Sequence, residues 1–228
     1  VGTPAQKKQW LEPLLRGEIR SAFAMTELNS ASSDAKNVNT RATLVGDEYV
    51  INGEKHYISG AGDPRCKIIG TQHVFGDPDA PLGHMRIVFD NGRGPASNML
   101  LGEGRGFEIS QLRLGPGRIH HCMRAIGSAE KALDLLVSRG LTREAFGKPL
   151  VQLGGNLEIV SRARIDIEAM RLMVLKAAKA MDVLGNQEAR VWIHMVKAMV
   201  PERVCQIIDQ AIQMHGALGV SQHTPLAR

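Results

Sequence analysis

Residues 21–37, SAFAMTELNSASSDAKN, hold four serines, two asparagines and an aspartate in one short span. Hydroxyls and free backbone N–H groups at that density can line the rim of a site for a large polar or anionic ligand. The same composition also suits a solvated turn. Ser21 to Met25 reads as a strand ending at Thr26-Glu27, so the hydroxyls follow in a loop. Thr26 by itself is equally a strand-end hydroxyl satisfied locally. Tyr57 reads as a strand aromatic of the core, and Arg143 as a surface arginine at a helix end.

Other reactive side chains carry less. His120 and His121 are adjacent on a helical stretch and so point about 100° apart, a poor arrangement for sharing a metal. They read as packing residues, and no metal site is expected. Cys66, Cys122 and Cys205 lie far apart, odd in number and without a CxxC pair, which suggests reduced thiols and no zinc centre. Cys122 is expected as a small buried apolar side chain.

The elements that must position these residues fall into two kinds. Thr3 can cap a helix with Pro4 in its first turn and Gly17 at its end, and Trp10, Leu11, Leu14 and Leu15 form an apolar stripe. From 20 to about 95 the pattern alternates as strands do. Gly46-Asp47 and Asn52-Gly53 stand where hairpin turns are expected, and Asn91-Gly92 is expected to close a further strand. After about 103 a helical period takes over, with helices expected over about 105–139, 153–184 and 187–215 and an irregularity at Gly115-Pro116-Gly117. The middle helix is apolar on more than one face (Leu157, Ile165, Leu172 and Leu175 beside Ile167 and Met170), so it should be buried from several sides, by core or by a helix of another subunit. The expected class is α+β: the end of a helical region over 1–19, an antiparallel β-domain over 20–102, and a C-terminal four-helix-bundle-type domain over 103–228. The β region offers few strands for burying one face, so it is expected either to pack on helices or to lack residues.

The 228 residues are 43% hydrophobic and 22% charged, which suits an ordinary soluble globular chain. A net charge of +5 favours anionic ligands, yet Lys and Arg are scattered and aromatics are only 4%, which argues against nucleic acid. No apolar run is long enough to span a bilayer, and the first residues read as a helix in mid-domain rather than a signal segment.

Four blocks, in order, resemble the acyl-CoA dehydrogenase family: AFAMTE…SSDAKNVNTRATLVGDEYVINGEKHYISGAG, LLGEGRGFEISQLRLGPGRIHHCMRAIGSAEKAL, TREAFGKPL and AIQMHGALGV. The GPGRIHHC segment is most similar to the subgroup that also occurs fused to kinase-like domains in animals. The resemblance covers essentially the whole chain. It implies a flavoprotein of fatty acid and lipid metabolism, an oxidoreductase that removes the α-proton of an acyl-CoA thioester while the β-hydride passes to N5 of FAD. It implies an electron-transfer flavoprotein as acceptor and a homo-oligomer, a tetramer or a dimer. The compartment would be the cytoplasm in a bacterium, and the mitochondrial matrix or peroxisome in a eukaryote.

The resemblance also assigns residues. Phe23, Met25 and Thr26 would lie along the isoalloxazine and its pyrimidine edge. Ser32 and Ser33 would receive the flavin phosphates and the pantetheine of the substrate. Tyr57 stands where Trp is usual and would shield the flavin, and Ser59 stands for the usual Thr near N5. Arg143 and Phe146 would reach the FAD of a neighbouring subunit, as would Gln213 and Gly216, with Ala217 replacing a common second glycine. Arg118 matches an arginine near the acyl cavity, and the two histidines could lie on the flavin side.

The pattern breaks at the catalytic base. Most of the family carry a Glu at a position that would fall beyond Arg228, and a minority carry it one residue before the matching Arg, where this chain has Gly117. Against the resemblance, the family's N-terminal helical domain is expected to be largely outside these residues, and CKIIGTQHVFG joins two β segments normally separated by a longer stretch. The alternative readings are therefore an inactive partial chain acting as an oligomerising helical module, and an acyl-CoA-binding or oxidase relative that uses oxygen.

Overall fold

The computed structural model describes residues 1–61, 67–74, 76 and 83–227. Cys66, whose thiol state was expected from spacing, lies outside them. The chain divides into two compact units, Val1–Ile109 and Ser110–Arg228.

The first unit opens with helical turns α1 (Pro4–Gln6) and α2 (Glu12–Leu15), joined by a π-helical segment at Lys7–Leu11. Thr3 and Gln6 form a reciprocal capping box, and Gly17 ends the run at φ +73°. Gln6 also donates to the carbonyls of Ser97 and Met99, at 2.8 and 3.0 Å, which ties the helix to the chain that follows the sheet. The expected stripe does not share one environment: Trp10, Leu11 and Leu14 line a cavity of about 640 Å³ with Ile19 and Leu100, while Leu15 stands in solvent.

Four strands, β1 (Arg41–Val45), β2 (Glu48–Ser59), β3 (Ile68–Gln72) and β4 (His84–Pro95), form an antiparallel sheet in the order β1-β2-β4-β3. Val45 pairs with Glu48 across the two-residue turn at Gly46-Asp47, as the hairpin signal predicts. The other two signals do not reverse the chain. β2 runs through Asn52-Gly53 and β4 through Asn91-Gly92, and the two pairs meet across the sheet. Ile51 faces Gly92 and Gly53 faces Phe89, so β4 carries one extra residue there. Asn91 takes the left-handed conformation and donates its N–H to Asn52 Oδ1 at 2.8 Å. The backbone freedom that an Asn-Gly pair offers is spent on a bulge.

Residues 21–25 form no strand, against expectation. A single ladder-like bond, from the His56 N–H to Thr26 O at 2.8 Å, marks where the segment meets β2. Among the described residues the apolar core of the sheet is small: Ile58, Ala61 and Ile87, with Met85 and Phe89 against them.

The helical unit contains α3 (Gly106–Thr142), α4 (Asn156–Glu188) and α5 (Arg190–His215). α3 continues through Gly115-Pro116-Gly117. A Cβ at Gly115 would sit 1.6 Å from Asn186 Oδ1, so a larger residue there requires the Asn186 side chain to move aside. Gly115 lies beside Asn186 while Glu130 pairs with Arg164, and Asn156 shares a cavity with Gln213 while Asp166 pairs with Arg203, so α4 runs antiparallel to both neighbours. Ile126, Leu136, Ile167, Met170, Val174, Ile193, Val196 and Val200 form a fully buried seam. Cys122 is buried within it, as expected, its Sγ 3.5 Å from Val196 O, and burial raises its thiol above the usual range. The middle helix is not buried from several sides in the single chain: Leu157, Ile165, Leu172 and Leu175 are exposed.

Candidate functional site

In the first unit the predicted site residues gather around one end of β2. Thr26 joins β2 through His56, Phe23 and Tyr57 are exposed, and Ser59 Oγ lies 2.9 Å from His84 Nδ1. The register slips between Lys55 and Ile58, leaving His56-Tyr57 as a bulge. Tyr57 consequently has φ +55° and is 54% exposed, a conformation that an aromatic residue rarely adopts. Gln72 of β3 secures the bulge, accepting the Tyr57 N–H at 2.5 Å and bonding His56 Nδ1 at 3.0 Å. On its other side the buried His56 ring meets Glu54 at 2.5 Å, and Glu54 also pairs with Arg86. None of these supports was foreseen. The signal available was the run Glu54-Lys55-His56, three charged or titratable residues at consecutive positions of a strand, which cannot all face solvent.

The hydroxyl loop is held from within. Ser32 Oγ accepts the Glu27 N–H at 2.8 Å, so this hydroxyl staples the loop, while Ser33 is exposed beside it. Glu27 is the larger surprise. Its side chain is 6% exposed and accepts from Lys55 Nζ (2.8 Å), the Asn39 N–H (2.7 Å), the Thr40 N–H (2.9 Å) and the Thr40 hydroxyl (2.7 Å). Burial pushes this carboxyl up, but the bonds from Lys55, Thr40 and Asn39 together outweigh it and hold it at about 2. The Glu54 carboxyl is likewise held at about 2, chiefly by the bond from Arg86 and then that from His56.

A pH prediction arises here. A carboxyl whose folded value lies below its ordinary 4.5 stabilises the fold fully above that pH, and the contribution is lost as pH falls through the folded value. The urea midpoint of the first unit, read by Trp10 fluorescence in a Trp192→Phe background, should therefore fall steadily between pH 4.5 and 2. A flat midpoint across that window would contradict it.

In the helical unit, Arg143 follows α3 and starts a two-residue hairpin between β5 (Glu144–Ala145) and β6 (Lys148–Pro149). Its turn is Phe146-Gly147, both at positive φ (53° and 72°), and Phe146 is 95% exposed. The Leu150 N–H donates to Arg143 O at 2.9 Å. Leu150 and Asn156 line a small cavity, about 190 Å³, together with Gln210 and Gln213 of α5, so the hairpin base and Gln213 share one end of the bundle. Gly216, at φ +61°, ends α5 one turn further on. The Arg143 guanidinium bonds no side chain among the described residues. Arg118 lies half-buried on α3, away from that end. His120 and His121 are both exposed rather than packed, and partial desolvation lowers His121, helped by the cations of Arg124 and Lys197.

Comparison with known proteins agrees with the order of these pieces. Residues 22–111 match the acyl-CoA dehydrogenase middle domain, and residues 104–228 the acyl-CoA dehydrogenase C-terminal domain. The "Probable acyl-CoA dehydrogenase FadE2" of Mycobacterium tuberculosis is 47% identical over 258 residues, covering 100% of this chain and 63% of its own length. With 228 residues here, about 30 positions of that alignment have no counterpart within this chain. The human "Acyl-CoA dehydrogenase family member 11" is 47% identical over 99% of this chain and 33% of its own length. The solved butyryl-CoA dehydrogenase of Megasphaera elsdenii superposes with a TM-score of 0.85 at 30% identity, over 100% of this chain and 66% of that one. The chain thus spans less than two thirds of the length of the curated relatives it matches, and with both domains matched in sequence and in fold, it belongs to the acyl-CoA dehydrogenase family.

Proposed function

We propose that this chain is the flavin-holding part of an FAD-dependent dehydrogenase of acyl-CoA thioesters. One observation carries the reading. The aromatic residues at positive φ among the described residues are Tyr57 and Phe146, both exposed, and both stand where the family resemblance puts flavin contacts. Strained backbone of this kind persists where its surroundings over-determine it, commonly at ligand sites. The donor set also fits FAD: an uncommitted guanidinium at Arg143 suits a pyrophosphate, and an exposed hydroxyl at Ser33 suits phosphate oxygens.

When bound, FAD supplies the acceptor for the hydride that leaves the acyl β-carbon. Phe23, Met25 and Thr26 would line its polar edge, with Tyr57 excluding water from one side and Ser59 held in place by His84. Ser32 and Ser33 would present the loop to phosphates and pantetheine. Arg143, Phe146, Gln213 and Gly216 would serve the cofactor of a neighbouring copy, and Arg118 the acyl cavity. The exposed apolar face of α4 supports association with further copies. An electron-transfer flavoprotein is the proposed electron acceptor. Gly117 has no side chain that could accept a proton, so that position supplies no base for the α-proton. Gly117 and the missing alignment positions also favour a second reading, an inactive chain that binds other copies.

The test is reconstitution. Dialysed protein mixed with FAD should retain a flavin spectrum, and Arg143→Ala should weaken FAD about 10- to 100-fold, from ~1.5–3 kcal/mol for hydrogen bonds to a charged group. A preparation that stays colourless with excess FAD overturns the cofactor assignment. A yellow preparation that no acyl-CoA bleaches selects the second reading.

A further inference from the structure

Glu27 and Lys55 form a buried pair, with side chains 6% and 7% exposed, in a unit whose fully buried apolar core is Ile58, Ala61 and Ile87. A buried ion pair is weak evidence for stability, because desolvation offsets most of the attraction. What this pair holds is therefore more informative than its presence. The Glu27 carboxylate sits at one end of the loop 28–38 and accepts the backbone N–H groups of Asn39 and Thr40 at the other end, together with the Thr40 hydroxyl. The Glu27 N–H donates to Ser32 in the middle of the loop. Lys55 reaches in from β2, donating to Glu27 at 2.8 Å and to Met25 O at 3.0 Å. One carboxylate thus ties both ends of the loop to the strand, and one ammonium ties it to the carbonyl next to Thr26. An apolar pair of the same volume would fill the space but leave the Asn39 and Thr40 amides without an acceptor.

We propose that Glu27 and Lys55 are positioning residues which hold the hydroxyl loop 28–38 in its receiving shape before any ligand arrives. The ligand part rests on the function proposed above: the loop presents Ser33 and its amides to the phosphates of FAD. A loop ordered in advance loses less freedom on binding, so disrupting the pair should weaken ligands that carry phosphates and spare those that do not.

The experiment compares wild type with Glu27→Gln, which keeps the shape and one acceptor oxygen but removes the charge. Amide hydrogen exchange of residues 29–38 is measured without ligand, and affinities for FAD and for riboflavin, the same ring without phosphates, are measured by flavin fluorescence. Expected are exchange at least about 10-fold faster in the loop with the rest of β2 unchanged, FAD weakened about 10-fold, and riboflavin unaltered. Unchanged loop exchange overturns the proposal, as does an equal loss for FAD and riboflavin, which would mean general loosening of the unit. Should wild type bind neither flavin, the cofactor assignment falls, and with it the ligand part of this proposal, while the exchange arm still decides whether the pair holds the loop. If Glu27→Gln does not fold, the double variant Glu27→Gln/Lys55→Met, which leaves no unpaired charge, is measured in its place with the same expected outcomes.

Discussion

Replacing Gly53 by Ala is expected to destabilise the first unit by about 3 kcal/mol or more, combining left-handed strain with an overpacked contact. Gly53 lies at φ +151°, and a Cβ there would stand 2.5 Å from Thr40 Oγ1 and 2.8 Å from Thr40 Cα. The second contact is with backbone, so no side-chain rotation relieves it. Thr40 is also the far end of the loop that Glu27 closes, so the strain falls on the candidate site itself. Gly46→Ala is the control. Its φ of +65° is also left-handed, but nothing lies within 4 Å of the added carbon, and the cost should be about 1 kcal/mol. Urea midpoints for the two variants would separate them. Equal losses would show that conformation alone, without the approach of Thr40, makes Gly53 necessary.

In the helical unit the largest expected effect is Ile167→Ala, at about 2–5 kcal/mol, since its side chain is fully buried between helices and its removal leaves a cavity. Two residues away, Ile165 is 66% exposed, and Ile165→Ala should change the stability of the isolated chain by no more than about 0.5 kcal/mol. Denaturation at low and high protein concentration sharpens the contrast. If other copies cover this face of α4, the Ile165 variant loses stability only at the higher concentration, whereas the Ile167 variant is weakened at both. A small effect of Ile167→Ala at both concentrations would show that the seam between α3, α4 and α5 is not the source of the unit's stability.

Much of the architecture was legible from residue order. The 3.6-residue period of the last half, the cap at Thr3, and the alternation on both sides of Gly46-Asp47 are local properties, and local geometry suffices to read them. So were the family blocks, because they are runs of consecutive residues. The two Asn-Gly pairs were misread for a physical reason. Asn and Gly tolerate positive φ, and that tolerance serves a hairpin or a bulge equally well; only the partner strand decides which. The same holds for α4, whose apolar residues show which positions avoid water but not whether the covering surface comes from its own chain.

Composition and order alone determined an α+β chain with a hydroxyl-rich loop, an arginine–phenylalanine turn and a glycine-ended helix, all of which any reader of the string can locate. Tertiary structure decided that Glu27 and Lys55 meet, that Gln72 steadies Tyr57 in its left-handed bulge, and that Gln213 lies by the base of the Phe146 hairpin. Those partners are 28, 15 and some 60 residues apart, a separation at which side-chain type carries no information about contact until strands pair and helices pack.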